Sequence, residues 1–214
     1  VKITTRGRAT HGANPEKGVN AIVHMARLIE RLSSMPMPSF EPPGLPPVGG
    51  TANVSLIEGG IMFLAVPSGC SIWIDRRTVP GETTEKVLGE YRDLVKSLKM
   101  EEKEFEAEVI PDRPDSRHPS IVKRGLLPFI TPPEEEVVGA LKEGFRDALG
   151  REGELSFLQC WTEADFFVND AGIPTALFGP GRLEMAHSAE EHVVLDDLVA
   201  AAKVYLVALA SLLG

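Results

Sequence analysis

The sequence predicts an α+β chain in two parts: a ferredoxin-like βαββαβ unit over residues 1–112, then an α/β segment over 113–214. Three observations carry that prediction. Strand-like and helix-like periods alternate in the order β-α-β-β-α-β through residues 1–110. A Pro-rich irregular stretch, 111–133, breaks the pattern. Beyond it the order becomes α-β-α-β-α, with short strands apolar on both faces.

Val1–Arg8 alternates apolar and polar side chains and reads as the first strand. Asn14-Pro15-Glu16 places a capping side chain before a proline, which predicts a helix over 15–33. Val19, Ile22, Val23, Ala26 and Ile29 recur at helical spacing and form its expected buried stripe. Residues 35–49 hold six of the 17 prolines, which excludes a helix or a central strand. Thr51–Ile57 reads as a strand ended by Gly59-Gly60. Phe63–Val66 and Cys70–Asp75 read as strands joined by Pro67-Ser68-Gly69. Thr83 or Thr84 caps a second helix with Val87, Leu88, Tyr91, Leu94, Val95 and Leu98 inward, and Phe105–Ile110 closes the unit as a strand.

In the second part, Glu134–Leu149 reads as a helix stopped by Gly150. Leu155–Gln159 and Pro174–Phe178 read as buried strands around a short helix, Thr162–Ala171. Gly179–Glu191 is a loop, and Asp196 or Asp197 caps a last helix to Leu213. Two strands make a thin sheet, so the segment reads as part of a larger one.

The chain has 214 residues, 43% of them hydrophobic and 25% charged, ordinary values for a globular protein and unlike those of a disordered one. Its net charge is −9, and residues 1–112 hold 13 basic and 15 acidic side chains. Neither part carries a basic stripe, which excludes nucleic acid as the expected partner. The longest apolar run, Leu198–Leu213, is short and contains Lys203, so a buried helix is expected rather than a membrane span. Two widely spaced cysteines and a polar N-terminus without a signal peptide point to a reducing, cytoplasmic setting. The chain opens on Val1 rather than Met, and is expected to be a piece of something longer.

Four clusters carry candidate chemistry, each with a structural alternative. His11 lies in the turn before the first helix, where it can donate to a developing oxyanion or simply satisfy the loop. Asp75-Arg76-Arg77 ends a strand, where an arginine fork can clamp a carboxylate or an Asp–Arg pair can pin the sheet edge. Thr162, in Cys160-Trp161-Thr162-Glu163-Ala164-Asp165, can bond a ligand, or cap a helix whose dipole the acids favour. His187 follows Gly179-Pro180-Gly181 in a loop after a buried strand, where α/β sheets place ligands; it is a metal ligand or a surface histidine. No nucleophile elbow, phosphate loop or dinucleotide fingerprint is present.

Taken in order, these motifs resemble one family. It is the co-catalytic zinc amidohydrolases and peptidases, which include acetylornithine deacetylase, succinyl-diaminopimelate desuccinylase, aminoacylase and glutamate carboxypeptidase. The matching stretches are Gly7 to Ala21, Thr51–Val54 with Gly59-Gly60, Ile74 to Glu82, Thr162–Ala164, Phe178–Gly181 and Ala186 to Glu191. The resemblance implies a ferredoxin-like lid that dimerises, followed by the C-terminal half of a zinc-peptidase-like α/β catalytic domain. It implies two zinc ions per complete site, with His187 as a ligand. It implies His11 reaching the scissile carbonyl oxygen, often from the partner subunit. Asn53 and Arg77 would bind polar and carboxylate groups of the substrate, and Thr162, Gly179 and Gly181 would line the pocket.

The departures are equally specific. The family's His-x-Asp and Glu-Glu metal motifs are absent, and its Asn-Val-Ile-Pro is Leu64-Ala65-Val66-Pro67, which loses an amide. The expected function is therefore part of a zinc-dependent hydrolase, acting as a homodimer on the amide bond of an N-acyl amino acid or small peptide. The alternatives are a non-catalytic dimerisation or binding protein lacking the metal half, and an unrelated two-domain α+β binding protein.

Overall fold

The computed structural model describes residues 1–42, 45–112, 125–158 and 160–214. His118, and Gln159 at the end of an expected strand, lie outside the described residues. The chain divides into two compact units, Val1–Pro128 and Phe129–Gly214.

The first unit contains β1 (Lys2–Arg6), α1 (Ala21–Ser33), a two-residue ribbon β2 (Ser39–Phe40) and β3 (Val48–Gly49), then β4 (Thr51–Gly59), β5 (Gly69–Arg77), α2 (Thr84–Glu101) and β6 (Glu106–Ile110). The sheet order is β4-β5-β1-β6, all pairs antiparallel, which is the ferredoxin-like arrangement. Cys70, Ile72 and Ile74 point to one face of β5 and pack with Ile3, Met25, Leu28, Leu88, Tyr91 and Phe105 into the core. Within the first unit, no described helix packs an apolar layer on the opposite face. Lys2 lies over Trp73, and Thr4 bonds Ser71 there.

Alternation along β5 sends its two arginines to opposite faces. Arg76 points into the core face, where its side chain is 3% exposed and pairs with Glu82, 1% exposed, at 2.5 Å. Glu82 also accepts the Val79 N–H at 2.8 Å, so this buried pair ties the Pro80-Gly81 turn to the strand. Beside it lies Tyr91, fully buried, whose hydroxyl makes no hydrogen bond.

Helix α1 begins later than its sequence predicts. Asn14-Pro15 opens only a 3-10 turn, Pro15–Lys17. Gly18 is extended, and Val19 pairs with Arg8 through both backbone bonds (2.9 and 3.0 Å), which breaks the helix before it can continue. Asn20 is the true cap, accepting from the N–H groups of Ile22 and Val23. The buried stripe shifts accordingly to Ala21, His24, Met25, Leu28 and Leu32, leaving Ile22 and Val23 exposed. α2 follows its sequence: Thr83 caps it through the Lys86 N–H, and Val87, Leu88, Tyr91 and Leu98 are buried. Phe63–Val66 is not a strand. It contains a turn closed by the Ala65 N–H to the Met62 carbonyl, with only Ala65 in an isolated bridge.

The second unit contains α3 (Glu136–Leu149), which ends at left-handed Gly150, and α4 (Leu195–Leu213). Val194, not Asp196 or Asp197, is the cap residue of α4, and the two acids lie in its first turn. A π-helix, Phe166–Asp170, stands in the expected helix 162–171. The strands expected at 155–159 and 174–178 are not formed among the described residues. A strand needs a hydrogen-bonded neighbour, and these apolar segments find none in the described chain. Along α4, Leu195, Leu198, Val199, Leu206, Leu209 and Leu213 are exposed, an apolar stripe at helical spacing.

Burial pushes the Tyr91 hydroxyl up to about 12; Arg76 pulls the other way, and Glu90 and Glu82 add to the rise. An acid whose folded value is raised favours the fold below its unfolded value and loses that contribution as pH climbs from about 10 to 12. Tyr91→Phe should leave stability at pH 7 unchanged or slightly higher, since it removes an unpaired buried hydroxyl. Urea titrations should also show a smaller loss for the variant than for the parent between pH 10 and 12.

Candidate functional site

The residues singled out by sequence fall into three groups. The first is the turn before α1. The Ala13 N–H donates to His11 Nδ1 at 3.1 Å, so the proton of the neutral ring sits on Nε2. The side chain is exposed, and Nε2 is the free donor. The turn is tied by backbone bonds to the β4–β5 connection: Gly12 N–H to the Leu64 carbonyl at 2.8 Å, and Val66 N–H to the Thr10 carbonyl at 2.8 Å.

The second group lies on the open face of the sheet. Asn53 stands opposite Asp75, and Thr51 opposite Arg77. All four therefore share one face. Arg77 donates from Nε and Nη2 to a single oxygen of Asp75, at 3.1 and 2.7 Å, with both side chains 47% exposed. Both readings of Arg77 survive in this geometry. The pair pins the strand end, yet an exposed ion pair contributes little, so an incoming carboxylate competes for the guanidinium at small cost. Arg76, one residue earlier, is unavailable because it is buried against Glu82.

These two groups are not brought together. His11 belongs to the Gly69 end of β5, and Arg77 is the last residue at its other end. Eight residue steps of antiparallel strand separate those ends by roughly 27 Å.

The third group lies in the second unit. Thr162 Oγ1 accepts the Ala164 N–H at 3.3 Å, which uses a lone pair and leaves the hydroxyl proton to donate. The residue that organises this turn is one the sequence marks only as an acid favouring a helix dipole, Asp165. It is 1% exposed and accepts from Trp161 Nε1 at 3.0 Å and Asn169 Nδ2 at 2.7 Å. The i, i+4 spacing on both sides of it was the available signal. Gly181 has φ +95°, a region that resists any side chain, so the loop Gly179–Gly181 depends on that glycine.

His187 has φ +62°, the only non-glycine among the described residues in the left-handed region. Its backbone N–H donates to Glu191 Oε2 at 2.8 Å, and Ser188 Oγ bonds the Met185 carbonyl at 2.8 Å. Such a conformation costs roughly 1–3 kcal/mol, and it concentrates at functional sites. A structural zinc takes four ligands and a catalytic one at least three from protein. Among the described residues, no three His, Cys, Asp or Glu side chains stand close enough to hold a metal ion. His187 is a single candidate ligand, and the described residues do not complete a centre around it.

Comparison with known proteins settles the frame. Residues 1–103 match the model of a peptidase dimerisation domain of M20 type. The first unit is thus similar to an M20-type dimerisation domain. It is 30% identical over 202 residues to an acetylornithine deacetylase of Myxococcus xanthus, covering 92% of this chain and 48% of that protein. It is 30% identical over 207 residues to an N-formyl-4-amino-5-aminomethyl-2-methylpyrimidine deformylase of Halalkalibacterium halodurans, covering 94% and 48%. Among solved structures, a tripeptidase of Staphylococcus aureus shares the fold with a TM-score of 0.70 at 20% identity, covering 98% of this chain and 50% of that one. An M20 family metallo-carboxypeptidase of Sulfolobus solfataricus does so at 0.64 and 17%, covering 99% and 58%. The chain thus spans about half the length of the curated relatives it matches.

The left-handed turn yields a direct test. His187→Gly should stabilise the second unit by several tenths to about 1 kcal/mol, read as a higher urea midpoint, because glycine adopts φ +62° without penalty. A lower midpoint would mean that the imidazole itself supports the loop.

Proposed function

We propose that this chain is the lid and the second catalytic half of a zinc-dependent hydrolase that cleaves the amide bond of N-acyl amino acids or small peptides. The observation that carries the reading is the match, across both units, to a deacetylase and a deformylase. The strained His187 supports it, because it sits where the family resemblance expects a metal ligand. The remaining ligands of two zinc ions come from outside the described residues. The exposed apolar stripe on α4 supports the same reading, as a face shaped to be covered by the rest of a larger layer.

The chain's own residues divide the work. His11 Nε2 donates a hydrogen bond to the oxygen of the scissile carbonyl as negative charge develops there. Asn53 and Arg77 hold polar and carboxylate groups of the substrate, with Arg77 leaving Asp75 to do so. Thr162 donates its free proton, and the Gly179–Gly181 loop lines the pocket.

The separation within the first unit governs how these residues meet. A small substrate does not bridge the roughly 27 Å between the His11 and Arg77 ends of β5. Both act on one substrate only if they come from different copies, so the enzyme works as a homodimer. The pairing surface is β4, an edge strand of nine residues, with Leu56, Ile57, Ile22 and Val23 exposed along it and beside it. An edge of this length left open invites a partner strand. Two free cysteines, one buried, fit a reducing cytoplasm as the setting.

The full-length protein should bind zinc and hydrolyse N-acyl amino acids. His187→Ala should lower its zinc content and reduce kcat/KM by more than the about 10–100-fold typical of groups one shell further out. Near-normal zinc and turnover in that variant would return His187 to an ordinary surface loop.

A further inference from the structure

Four consecutive apolar side chains, Ile61, Met62, Phe63 and Leu64, occupy the connection between β4 and β5. Turns in water normally carry Gly, Asn, Asp or Ser there, and such an exposed apolar run marks a contact surface. The Ala65 N–H to Met62 carbonyl bond makes Phe63 and Leu64 the corners of a turn, 99% and 62% exposed. This turn is not free to wander. Gly12 N–H bonds the Leu64 carbonyl at 2.8 Å, and His11 stands opposite Ala65. A Cβ on Gly12 would lie 2.9 Å from the Leu64 carbonyl oxygen, so glycine is what lets the two segments approach so closely. The backbones of His11 and of the two corner residues are therefore held together as one unit, which keeps Phe63 and Leu64 next to His11 in space.

We propose that Phe63 and Leu64 are specificity residues that select substrates whose acyl group is uncharged and apolar. The inference rests on the reading above, in which His11 bonds the scissile carbonyl oxygen. Arg77, the carboxylate reader, lies at the far end of β5 and comes from the other copy, so it holds the amino-acid side of the bond. The His11 end meets the acyl side. A formyl, acetyl or short aliphatic acyl group buries apolar surface against these side chains. A succinyl group would have its carboxylate stripped of water against Phe63 and Leu64, which offer it no donor.

The test compares kcat/KM of the full-length protein for N-formyl, N-acetyl, N-butyryl and N-succinyl derivatives of one amino acid. The proposal expects acetyl and butyryl to exceed succinyl by at least about tenfold, the discrimination a pocket wall of this kind supplies. Leu64→Asn should narrow that ratio, mainly by lowering butyryl, and Leu64→Lys should narrow it further by raising succinyl. His11→Ala should depress all four alike. A parent enzyme that prefers succinyl, or a ratio unmoved in Leu64→Lys, would overturn the proposal. So would dissociation of the dimer in Leu64→Asn without a change in preference, because the tip would then be an interface element. Hydrolysis of none of the four by the parent would instead sink the proposed function itself, and this inference with it.

Discussion

The nine residues of β5 set the terms for everything else in the lid. Paired on both sides, by β4 and β1, the strand cannot fold its ends toward each other. Whatever chemistry sits at Gly69 is held a strand's length from whatever sits at Arg77. Alternation along the same strand sends Arg76 into the core and Arg77 to the open face. One arginine is thereby committed to structure and its neighbour left available. The first unit thus resembles a rigid bar with the His11 imidazole at one end and the half-exposed Arg77 guanidinium at the other.

Such a bar explains why dimerisation and catalysis are joined in the reading offered here. The edge strand β4 runs the length of the bar and is open. Helix α1 presents Ile22 close to the Gly59-Gly60 end of that edge, with Val23 exposed beside it. Antiparallel pairing across such an edge places the donor end of one copy beside the reader end of the other. In the second unit, the strained His187 and the Asp165-centred turn are local devices of a different kind. Each fixes a loop through a carboxylate accepting from a nearby N–H, so the loops hold their shape without a sheet among the described residues.

Much of this was legible in the sequence, for physical reasons that differ by element. The βαββαβ order emerged because α2, β5 and β6 have strong periods and are bounded by Pro, Gly or a capping Thr. The start of α1 did not, because Asn14-Pro15 and Asn20 are both sound capping signals, and only the Arg8–Val19 pairing, a contact between separate segments, decides for Asn20. Ile22 and Val23 are apolar yet lie off the core, and periodicity does not tell a core face from an exposed one. The apolar segments 155–158 and 174–178 have strand composition, but strand formation requires a neighbour that the described chain does not supply. Candidate residues were legible as types in motifs. Their geometry was not: neither the separation of His11 from Arg77 nor the left-handed backbone of His187 follows from spacing.

The central claim is that one active centre draws His11 from one copy and Arg77 from the other. Mixing two full-length variants of strongly reduced activity, His11→Ala and Arg77→Ala, tests it directly. After dissociation and random reassociation, half of the dimers are mixed, and each mixed dimer contains one centre with both side chains intact. The account predicts recovery of about a quarter of the parent activity, from the symmetry of a two-fold dimer. If both residues served the same copy's centre, every centre would lack one of them. Mixtures that stay as inactive as the separate variants, with exchange of subunits confirmed, would contradict the account.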